Sequence, residues 1–341
     1  MKLPHHGGLA LAFIACVYAV WACADTPTRA SSGAPGFDLQ GHRGARGLAP
    51  DNTLAAFRTA LTLGVTTLEL DVGVTRDGQV VVAHDQRLNP NITRNAAGQW
   101  LAELGPPIHT LTLAEVQSHD VGRLKPGSRY AQGLPEQQPV DGERMPTLDA
   151  LFAMVRARGD SRVRFNIETK LVPQTPSSAP ELSPEPEAFV KALLAVVDRY
   201  GLRARVSIQS FDWRTLRVAQ KLAPDVATVA LTAQQAFLDN VGGSTASDAG
   251  RWTAGLRLQD HGGSVPRLVQ ALGAGTWSPF HADLSQALLA EAHTLGLKVI
   301  PWTVNDPALL DKLLGWGVDG IITDYPDRLR TVMARRGMTL P

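Results

Sequence analysis

Two acidic residues alternate with leucines in a short segment that is otherwise largely apolar. In residues 67–72 (TLELDV), the two carboxylates stand two positions apart. Side chains of a β-strand alternate between its two faces, so Glu69 and Asp71 share one face and the leucines share the other. Two neighbouring carboxylates in a partly buried site repel each other and are costly to desolvate. A divalent cation relieves both effects, and hard cations prefer carboxylate oxygens.

A second strand-like segment repeats this arrangement. In residues 165–170 (FNIETK), Asn166, Glu168 and Lys170 share a face. A single acidic residue in a strand is more often part of a structural salt bridge. Three inward carboxylates near the ends of two strands instead favour a metal site.

Two histidines end predicted strands at the same level. His42 follows the first strand, and His84 ends residues 80–84 (VVVAH). The C-terminal ends of the strands build the active site of an α/β barrel, so both imidazoles should project there. Beside a carboxylate cluster they suit general acid–base catalysis near neutral pH. They could instead be metal ligands, but the carboxylates already supply a hard oxygen site.

Arg43 and Lys170 bring positive charge to the same end of the sheet. The planar fork of arginine suits phosphate recognition, and lysine can stabilise developing negative charge. For either residue alone, a salt-bridged or solvated surface charge is an equally good interpretation. A hard cation combined with these side chains and two histidines is suited to cleaving a phosphodiester.

The elements that must position these side chains form a repeating pattern. From Phe37 onward, short apolar runs alternate with amphipathic segments of helical length. This alternation predicts an α/β protein with a parallel sheet, and about eight units favour a TIM (β/α)8 barrel over an open sheet. One predicted helix contains residues 54–61 and is stopped by Gly64, and the others are 188–200, 213–222 and 285–295. The predicted strands are 37–41, 66–72, 80–84, 163–168, 205–209, 226–231, 276–280, 298–304 and 317–323.

Three stretches interrupt this pattern. Residues 86–147 carry many turn signals and one convincing helix, at 113–121, and are predicted to be an insertion after the second strand region. Residues 171–187 are rich in Pro, Ser and Glu, which predicts an exposed loop. Residues 235–265 are glycine-rich and predict no confident strand.

The N-terminal segment has the composition of a secretory signal peptide. A basic start precedes an apolar run, and Ala22-Cys23-Ala24 follows, so residues 1–24 are predicted to be cleaved and 25–36 to be a flexible lead-in. We therefore expect an exported protein, periplasmic or secreted. A lipoprotein acylated at Cys23 is the weaker alternative, because bulky Trp21 stands where such sites carry a small residue. The apolar run is too short for a comfortable membrane span.

Bulk composition excludes some classes of partner. The chain has 341 residues, a formal net charge of +1 and two cysteines, both in the predicted signal peptide. This balance does not call for nucleic acid or a stable membrane association, so phosphate recognition must come from local charges in a pocket. Oligomeric state cannot be inferred from these numbers.

Several short motifs, taken in order, resemble the glycerophosphodiester phosphodiesterase family from about residue 37 to 330. They are GHRG (41–44), PDNT (50–53), LELDV (68–72), DG (77–78) with HD (84–85), NIETK (166–170), PWTVN (301–305) and GIITD (320–324). The resemblance implies a TIM barrel over residues 37–334. It also implies hydrolysis of glycerophosphodiesters, small-molecule substrates, to sn-glycerol 3-phosphate and an alcohol.

The resemblance also implies roles for individual residues. One Ca²⁺ or Mg²⁺ ion would be bound by Glu69, Asp71 and Glu168. His42 and His84 would form the acid–base pair, and Arg43 and Lys170 would contact the phosphate. Trp302 would line the glycerol side of the pocket, although an aromatic residue at the end of a barrel strand is about as often part of the core. Asp51 departs from the family's usual Pro-Glu-Asn-Thr. Because residues 50–53 look like the start of the first helix, where Asp, Asn and Thr can all cap, we expect little effect on chemistry.

Two other functions remain open. A lipid phosphodiesterase of the phospholipase D, sphingomyelinase D or phosphatidylinositol-specific type would share the barrel. Such an enzyme should have an exposed apolar rim or an amphipathic helix, whereas the predicted insertion is polar and proline-rich. A non-catalytic, exported glycerophosphodiester-binding protein would share the fold, but every residue needed for chemistry is present.

Overall fold

Eight parallel strands form the wall of a barrel in the computed structural model, which describes residues 36–173, 182–242 and 250–341 together with Met1. In chain order the strands are β1 (Asp38–Gly41), β2 (Thr67–Val74), β3 (Val80–Val82), β4 (Arg164–Thr169), β5 (Val206–Ser210), β6 (Ala227–Thr232), β7 (Gln234–Gln235), β8 (Leu238–Asp239), β9 (Thr276–Pro279), β10 (Lys298–Val299) and β11 (Gly320–Thr323). The parallel neighbours run β10-β9-β6-β5-β4-β2-β1-β11.

The two ends of this strand order meet through backbone hydrogen bonds. Asp319 N donates to Val299 O at 3.0 Å, and Ile322 N donates to Pro301 O at 3.0 Å. Val304 N in turn donates to Ile322 O at 3.0 Å. The barrel is therefore nearly closed, and the predicted (β/α)8 fold is confirmed.

Helices alternate with the barrel strands. They are α1 (Leu54–Leu63), α2 (Leu113–Gln117), α3 (Arg129–Gln132), α4 (Leu148–Ala157), α5 (Pro186–Arg199), α6 (Trp213–Leu222), α7 (Val265–Leu272), α8 (Gln286–Thr294), α9 (Pro307–Trp316) and α10 (Pro326–Arg335). Eight of these ten described helices follow a Ser, Thr or Asp whose side chain accepts a hydrogen bond from the first turn. Such caps satisfy amide groups that the helix itself leaves unpaired. The predicted barrel boundary at 334 falls one residue before the end of α10.

The predicted barrel strand at 80–84 is wrong. Only Val80–Val82 are extended, and they pair antiparallel with the end of β2, with Val82 opposite Val72 and Val80 opposite Val74. This strand therefore lies outside the ring, because β2 continues past the barrel wall and folds back through a turn at Gly78 (φ 75°). All three valines are buried, as in a barrel strand, so their apolar pattern could not distinguish the two placements.

The insertion at 86–147 forms a small core of its own on this hairpin. Its helix α2 ends at Gln117, earlier than the predicted 121, and α3 was not predicted from the sequence. A second hydrophobic cluster holds the insertion together, made of Val81, Ala83, Leu88, Ile108, Val116, Val121 and Met145. The insertion therefore packs against β3 through this cluster.

Other boundaries also differ from the predictions. The predicted loop at 171–187 is wrong at its end, because Pro186 and Glu187 begin α5, where proline suits the first turn. In 235–265, β7 and β8 form a short antiparallel hairpin and α7 begins at Val265. β10 and β11 are shorter than predicted. Gly317, which the prediction placed in a strand, ends α9 in the left-handed conformation (φ 85°).

The predicted signal peptide, including Cys23, and the lead-in lie outside the described residues apart from Met1 and Gly36. Residues Phe37–Pro341 form one compact unit. Within the described ranges, every helix is too short or too polar to cross a bilayer.

Candidate active site

Three carboxylates meet inside the barrel. Glu69 and Asp71 on β2 lie beside Glu168 on β4, and Asp71 and Glu168 are direct partners in the strand register. One oxygen from each can be chosen so that all three lie within 4.8 Å of one another, and all three residues are buried. Because side chains alternate along β2, Leu68 and Leu70 point to the opposite face and pack in the main hydrophobic cluster.

This cluster fits a divalent cation. Asp71 Oδ1 is buried and accepts no hydrogen bond from any residue that the structure describes. Burial and the neighbouring Asp71 raise the pKa of Glu69 well above its usual value. Burial also raises the pKa of Glu168, to about 7, although Lys170 opposes the shift. Buried carboxylates with an unsatisfied oxygen are a suitable donor set for Ca²⁺ or Mg²⁺.

Asp71 is nevertheless held in its charged form. Burial alone would raise its pKa, but His84, Lys170 and Arg43 together lower that pKa below the usual value. Lys170 Nζ lies 3.7 Å from Asp71 Oδ1 and 2.7 Å from Glu168 Oε1. Lys170 therefore balances part of the negative charge of the cluster.

His42 follows β1 and is held by a carboxylate from the far end of the chain. Its Nδ1 lies 2.5 Å from Asp324 Oδ1. Asp324 is held in turn by Asn305, whose Nδ2 donates to Asp324 Oδ2 at 2.7 Å. Burial lowers the pKa of His42, and Asp324 opposes that shift. A carboxylate that accepts from Nδ1–H leaves Nε2 of a neutral imidazole free to accept a proton.

His84 reaches the same cleft by an unexpected route. It follows β3, which returns antiparallel from the end of β2, and Ala83 N donates to Asp71 O at 3.0 Å. Its Nδ1 lies 3.0 Å from Asp85 Oδ1. Burial and the charges of Arg43 and Lys170 lower the pKa of His84 to about 4. His84 therefore lines the cleft, but it follows an antiparallel strand outside the barrel wall and not the end of a barrel strand.

Arg43 is engaged by acidic partners. Its Nη1 donates to Asp51 Oδ2 and to Tyr130 OH, both at 3.2 Å. Its Nε lies 3.3 Å from Asp71 Oδ2, and its backbone N donates to Glu69 Oε2 at 2.9 Å. The left-handed backbone of Arg43 (φ 50°) accompanies this placement.

Residues 50–53 do more than begin a helix, and the capping role that was expected of them is filled by Thr53 alone. Thr53 is the cap of α1, as its side chain accepts from Ala56 N. Asp51 instead pairs with Arg43, and Asn52 Nδ2 donates to Asp71 Oδ2 at 2.9 Å. The segment therefore supports two of the predicted site residues.

Seven of the eight predicted site residues line one cleft; these are His42, Arg43, Glu69, His84, Glu168, Lys170 and Trp302. Asp71 belongs to the carboxylate cluster at its edge. Trp302 packs edge-on against Phe211, with ring centroids 5.3 Å apart, and its Nε1 donates to Ser278 O at 3.1 Å.

Sequence reasoning missed several residues of this cleft. Arg46, Gln209 and Phe211 also line it. Gln209 Nε2 donates to Glu69 Oε1 at 2.6 Å, and Gln209 Oε1 accepts from Asn166 Nδ2 at 2.8 Å. The sequence placed Asn166 on the same strand face as Glu168, and the GIITD motif contains Asp324. Neither pattern predicted that Asn166 would bond Gln209 or that Asp324 would hold His42.

A carboxylate cluster, two histidines with carboxylate partners and three basic side chains meet at one mouth of a (β/α)8 barrel. Each histidine can exchange a proton, and the cations can bind an anionic oxygen. The fold and the site together define a hydrolase of phosphodiesters.

Comparison with known proteins is consistent with this class. The model of the glycerophosphoryl diester phosphodiesterase family matches residues 42–328. A glycerophosphodiester phosphodiesterase from Caldanaerobacter subterraneus subsp. tengcongensis is 30% identical over 296 residues, which cover 87% of this chain and 97% of that protein. The crystal structure of a Silicibacter pomeroyi DSS-3 protein, assigned as a glycerophosphoryl diester phosphodiesterase, has a TM-score of 0.78 at 33% identity, covering 90% and 96% of the two chains.

A more distant structure shares the fold. The Oleispira antarctica phosphodiesterase, solved in complex with the product sn-glycerol-3-phosphate, has a TM-score of 0.62 at 23% identity and covers 87% of this chain and 96% of that chain.

The chain belongs to the glycerophosphoryl diester phosphodiesterase family. The predicted resemblance and the predicted activity, hydrolysis of glycerophosphodiesters, are confirmed.

Proposed function

We propose that the enzyme converts glycerophosphodiesters to sn-glycerol 3-phosphate and an alcohol with one divalent cation and a pair of histidines. One observation carries this proposal: the buried oxygens of Glu69, Asp71 and Glu168, within 4.8 Å of one another, share a cleft with His42 and His84. Sn-glycerol 3-phosphate, the ligand of the Oleispira structure, is the product that this reaction would release.

The three carboxylates would hold the ion, either Ca²⁺ or Mg²⁺. Bound there, it would supply positive charge that neutralises a phosphate oxygen of the substrate. Lys170, 2.7 Å from Glu168, and Arg43 add positive charge at the same cleft. Trp302 would line the glycerol side, where its indole is held in place by Ser278.

The histidines would move the protons of the reaction. Asp324 and Asp85 each hold an Nδ1, which leaves the Nε2 of each ring for the substrate. One imidazole takes the proton of the attacking hydroxyl group, and the other returns a proton to the departing alkoxide. We infer from family resemblance that the attacking group is the 2-hydroxyl of the glycerol, which would form a cyclic phosphate before water opens it.

A metal-titrated assay tests this proposal. The protein is stripped with a chelator and then supplied with Ca²⁺ or Mg²⁺ in the presence of glycerophosphocholine, glycerophosphoethanolamine or glycerophosphoglycerol. We expect activity to return with one of the two ions and sn-glycerol 3-phosphate to be released from each substrate. Full activity without metal, or turnover of sphingomyelin alone, would contradict the proposal.

We also propose that the protein is exported, on the basis of its first 24 residues. Fractionation of cells and mass spectrometry of the mature chain test this. We expect the protein outside the cytoplasm, beginning after Ala24. A cytoplasmic chain that keeps its N-terminus would refute export, and an acylated Cys23 would establish the lipoprotein alternative.

A further inference from the structure

Arg46 is a second arginine in the cleft and was not predicted to belong to the site. Its side chain is 17% exposed, and its nearest acidic atoms are Asp324 Oδ1 at 3.8 Å and Asp51 Oδ2 at 3.9 Å. These distances are too long for hydrogen bonds. Its Nε is buried and has no hydrogen-bond partner among the described residues.

The neighbouring Arg43 differs in its Nη1, although its Nε, like that of Arg46, is buried and has no hydrogen-bond partner among the described residues. Its Nη1 donates to Asp51 and Tyr130, and its Nε lies 3.3 Å from Asp71. Arg43 is therefore largely occupied in holding acidic residues of the site in place. The side chain of Arg46 donates no hydrogen bond to any described residue and lines the cleft, so its Nη atoms can meet a ligand there.

The position of Arg46 suits contact with the reacting phosphate. Asp324 Oδ1, which lies 3.8 Å from Arg46 Nη1, is the same atom that lies 2.5 Å from His42 Nδ1. The guanidinium is therefore a near neighbour of the imidazole. Both side chains line the same cleft, so a phosphate within hydrogen-bond reach of His42 would lie in the space that Arg46 also faces.

The insertion holds the guanidinium in place. Tyr130, on α3, stacks against Arg46 with 4.9 Å between Cζ and the ring centroid. Stacking on an aromatic face leaves the edge of a guanidinium free for the planar, bidentate contact that phosphate oxygens favour.

We propose that Arg46 is a catalytic-site residue that binds a non-bridging phosphate oxygen of the substrate. This inference rests on the proposed function, because the phosphate is that of the glycerophosphodiester. It also gives the insertion a role, since Tyr130 orients the arginine that makes the contact.

Calorimetric titration of the metal-loaded protein with sn-glycerol 3-phosphate, inorganic phosphate and glycerol tests the proposal. We expect Arg46→Gln to weaken binding of both phosphate compounds roughly ten- to hundredfold, the loss of a charged hydrogen bond, and to leave glycerol binding unchanged. Arg46→Lys should restore part of the affinity because it keeps the charge but loses the fork. KM for glycerophosphocholine should rise in parallel with the product dissociation constant.

Arg94→Gln is the matched control. Arg94 also stacks on an aromatic ring, Trp100, is 15% exposed and has a buried Nε without a hydrogen-bond partner among the described residues, but it does not line the cleft. We expect this variant to lose stability at most, with unchanged affinity for sn-glycerol 3-phosphate.

Two results would overturn the proposal. An Arg46→Gln variant with a lower Tm but unchanged phosphate affinity would show a purely structural arginine. Unchanged affinity with a shifted pH–rate profile would show that Arg46 acts only through Asp324 and His42. Wild-type protein that binds sn-glycerol 3-phosphate without cleaving any glycerophosphodiester would contradict the proposed function, while the affinity comparison would still decide the role of Arg46.

Discussion

At the scale of single residues, the two histidines reach their carboxylate partners in different ways. His84 pairs with the next residue, Asp85, whereas the partner of His42 is 282 positions away. The hydrogen bond from His84 lowers the pKa of Asp85 to about 2 in spite of its burial. The pKa of Asp324 is also held below its usual range by His42, although burial alone would raise it. Both carboxylates are therefore charged at neutral pH and can stabilise a protonated imidazole.

Removing either imidazole should abolish most of the turnover. We expect His42→Ala and His84→Ala each to reduce kcat by roughly 10²–10⁴-fold, the usual contribution of a positioned acid or base. Because the carboxylates are expected to hold the ion, Tm and metal affinity should stay close to those of the wild type. Kinetics combined with calorimetric metal titration measure both. Loss of metal in either variant would show that the histidine is a ligand instead.

Asp324 should act as a positioning residue for His42. Since Asp324 raises the pKa of His42 against the effect of burial, Asp324→Asn should lower that pKa further and reduce kcat. The pH–rate limb that reports His42 should therefore move to lower pH, with KM little changed. Asp319→Asn is a suitable control, because Asp319 pairs with the exposed His293 at 3.0 Å. An unchanged pH profile in Asp324→Asn would contradict the assignment.

At the scale of elements, the interior of the barrel carries a chain of amides behind the carboxylate cluster. Asn166 on β4 donates to Gln40 on β1 at 2.9 Å and to Gln209 on β5 at 2.8 Å. Gln40 Nε2 donates in turn to Asp38 at 3.0 Å, and Gln209 Nε2 donates to Glu69 at 2.6 Å. Because a carboxylate accepts at each end, the orientation of every amide is determined.

Gln209 should therefore orient Glu69 for metal binding. We expect Gln209→Leu to weaken Ca²⁺ or Mg²⁺ affinity about ten- to hundredfold, as loss of a group that holds a metal ligand commonly does. Calorimetric titration measures the affinity, and circular dichroism checks the fold. Gln220→Leu is the matched control, because Gln220 bonds Thr228 on β6, away from the cleft. Unchanged affinity in Gln209→Leu would mean that the backbone N of Arg43 is sufficient to hold Glu69.

At the scale of the whole molecule, metal binding and proton binding should be linked. Burial raises the pKa of Glu69, and raises that of Glu168 to about 7, so the metal-free cluster retains protons below neutral pH. A carboxyl group whose pKa is higher in the folded than in the unfolded protein stabilises the metal-free fold at low pH, where the group is protonated. This stabilisation is lost as the pH rises through the folded-state pKa. A cation requires the ionised carboxylates and compensates for that loss.

Metal should accordingly bind more tightly at about pH 8 than at about pH 6, and binding at the lower pH should release protons. Titrations in two buffers with different ionisation enthalpies count the protons released. Thermal melts with and without the ion should show a larger increase in Tm at the higher pH. The absence of proton release near pH 6 would contradict the raised pKa of Glu168.

The local patterns of the chain were sufficient to predict the fold class and the core of the site. Period-2 alternation placed Glu69 and Asp71 on one face of β2, and Asn166 and Glu168 on one face of β4. Strand–helix alternation predicted the barrel. These properties are encoded within a few consecutive residues, so they can be read without knowing what the segment packs against.

Partnerships between distant segments depended on the tertiary structure. β3 has the composition of a barrel strand, and only its antiparallel pairing with β2 explains how His84 reaches the cleft. His42 meets Asp324 because β1 and β11, the first and last strands, are neighbours in the barrel. The contact of Arg46 with Tyr130 depends on how the insertion packs. Alternation along each strand specifies which side chains share a face, whereas barrel closure and the packing of the insertion bring those side chains together with partners from distant segments.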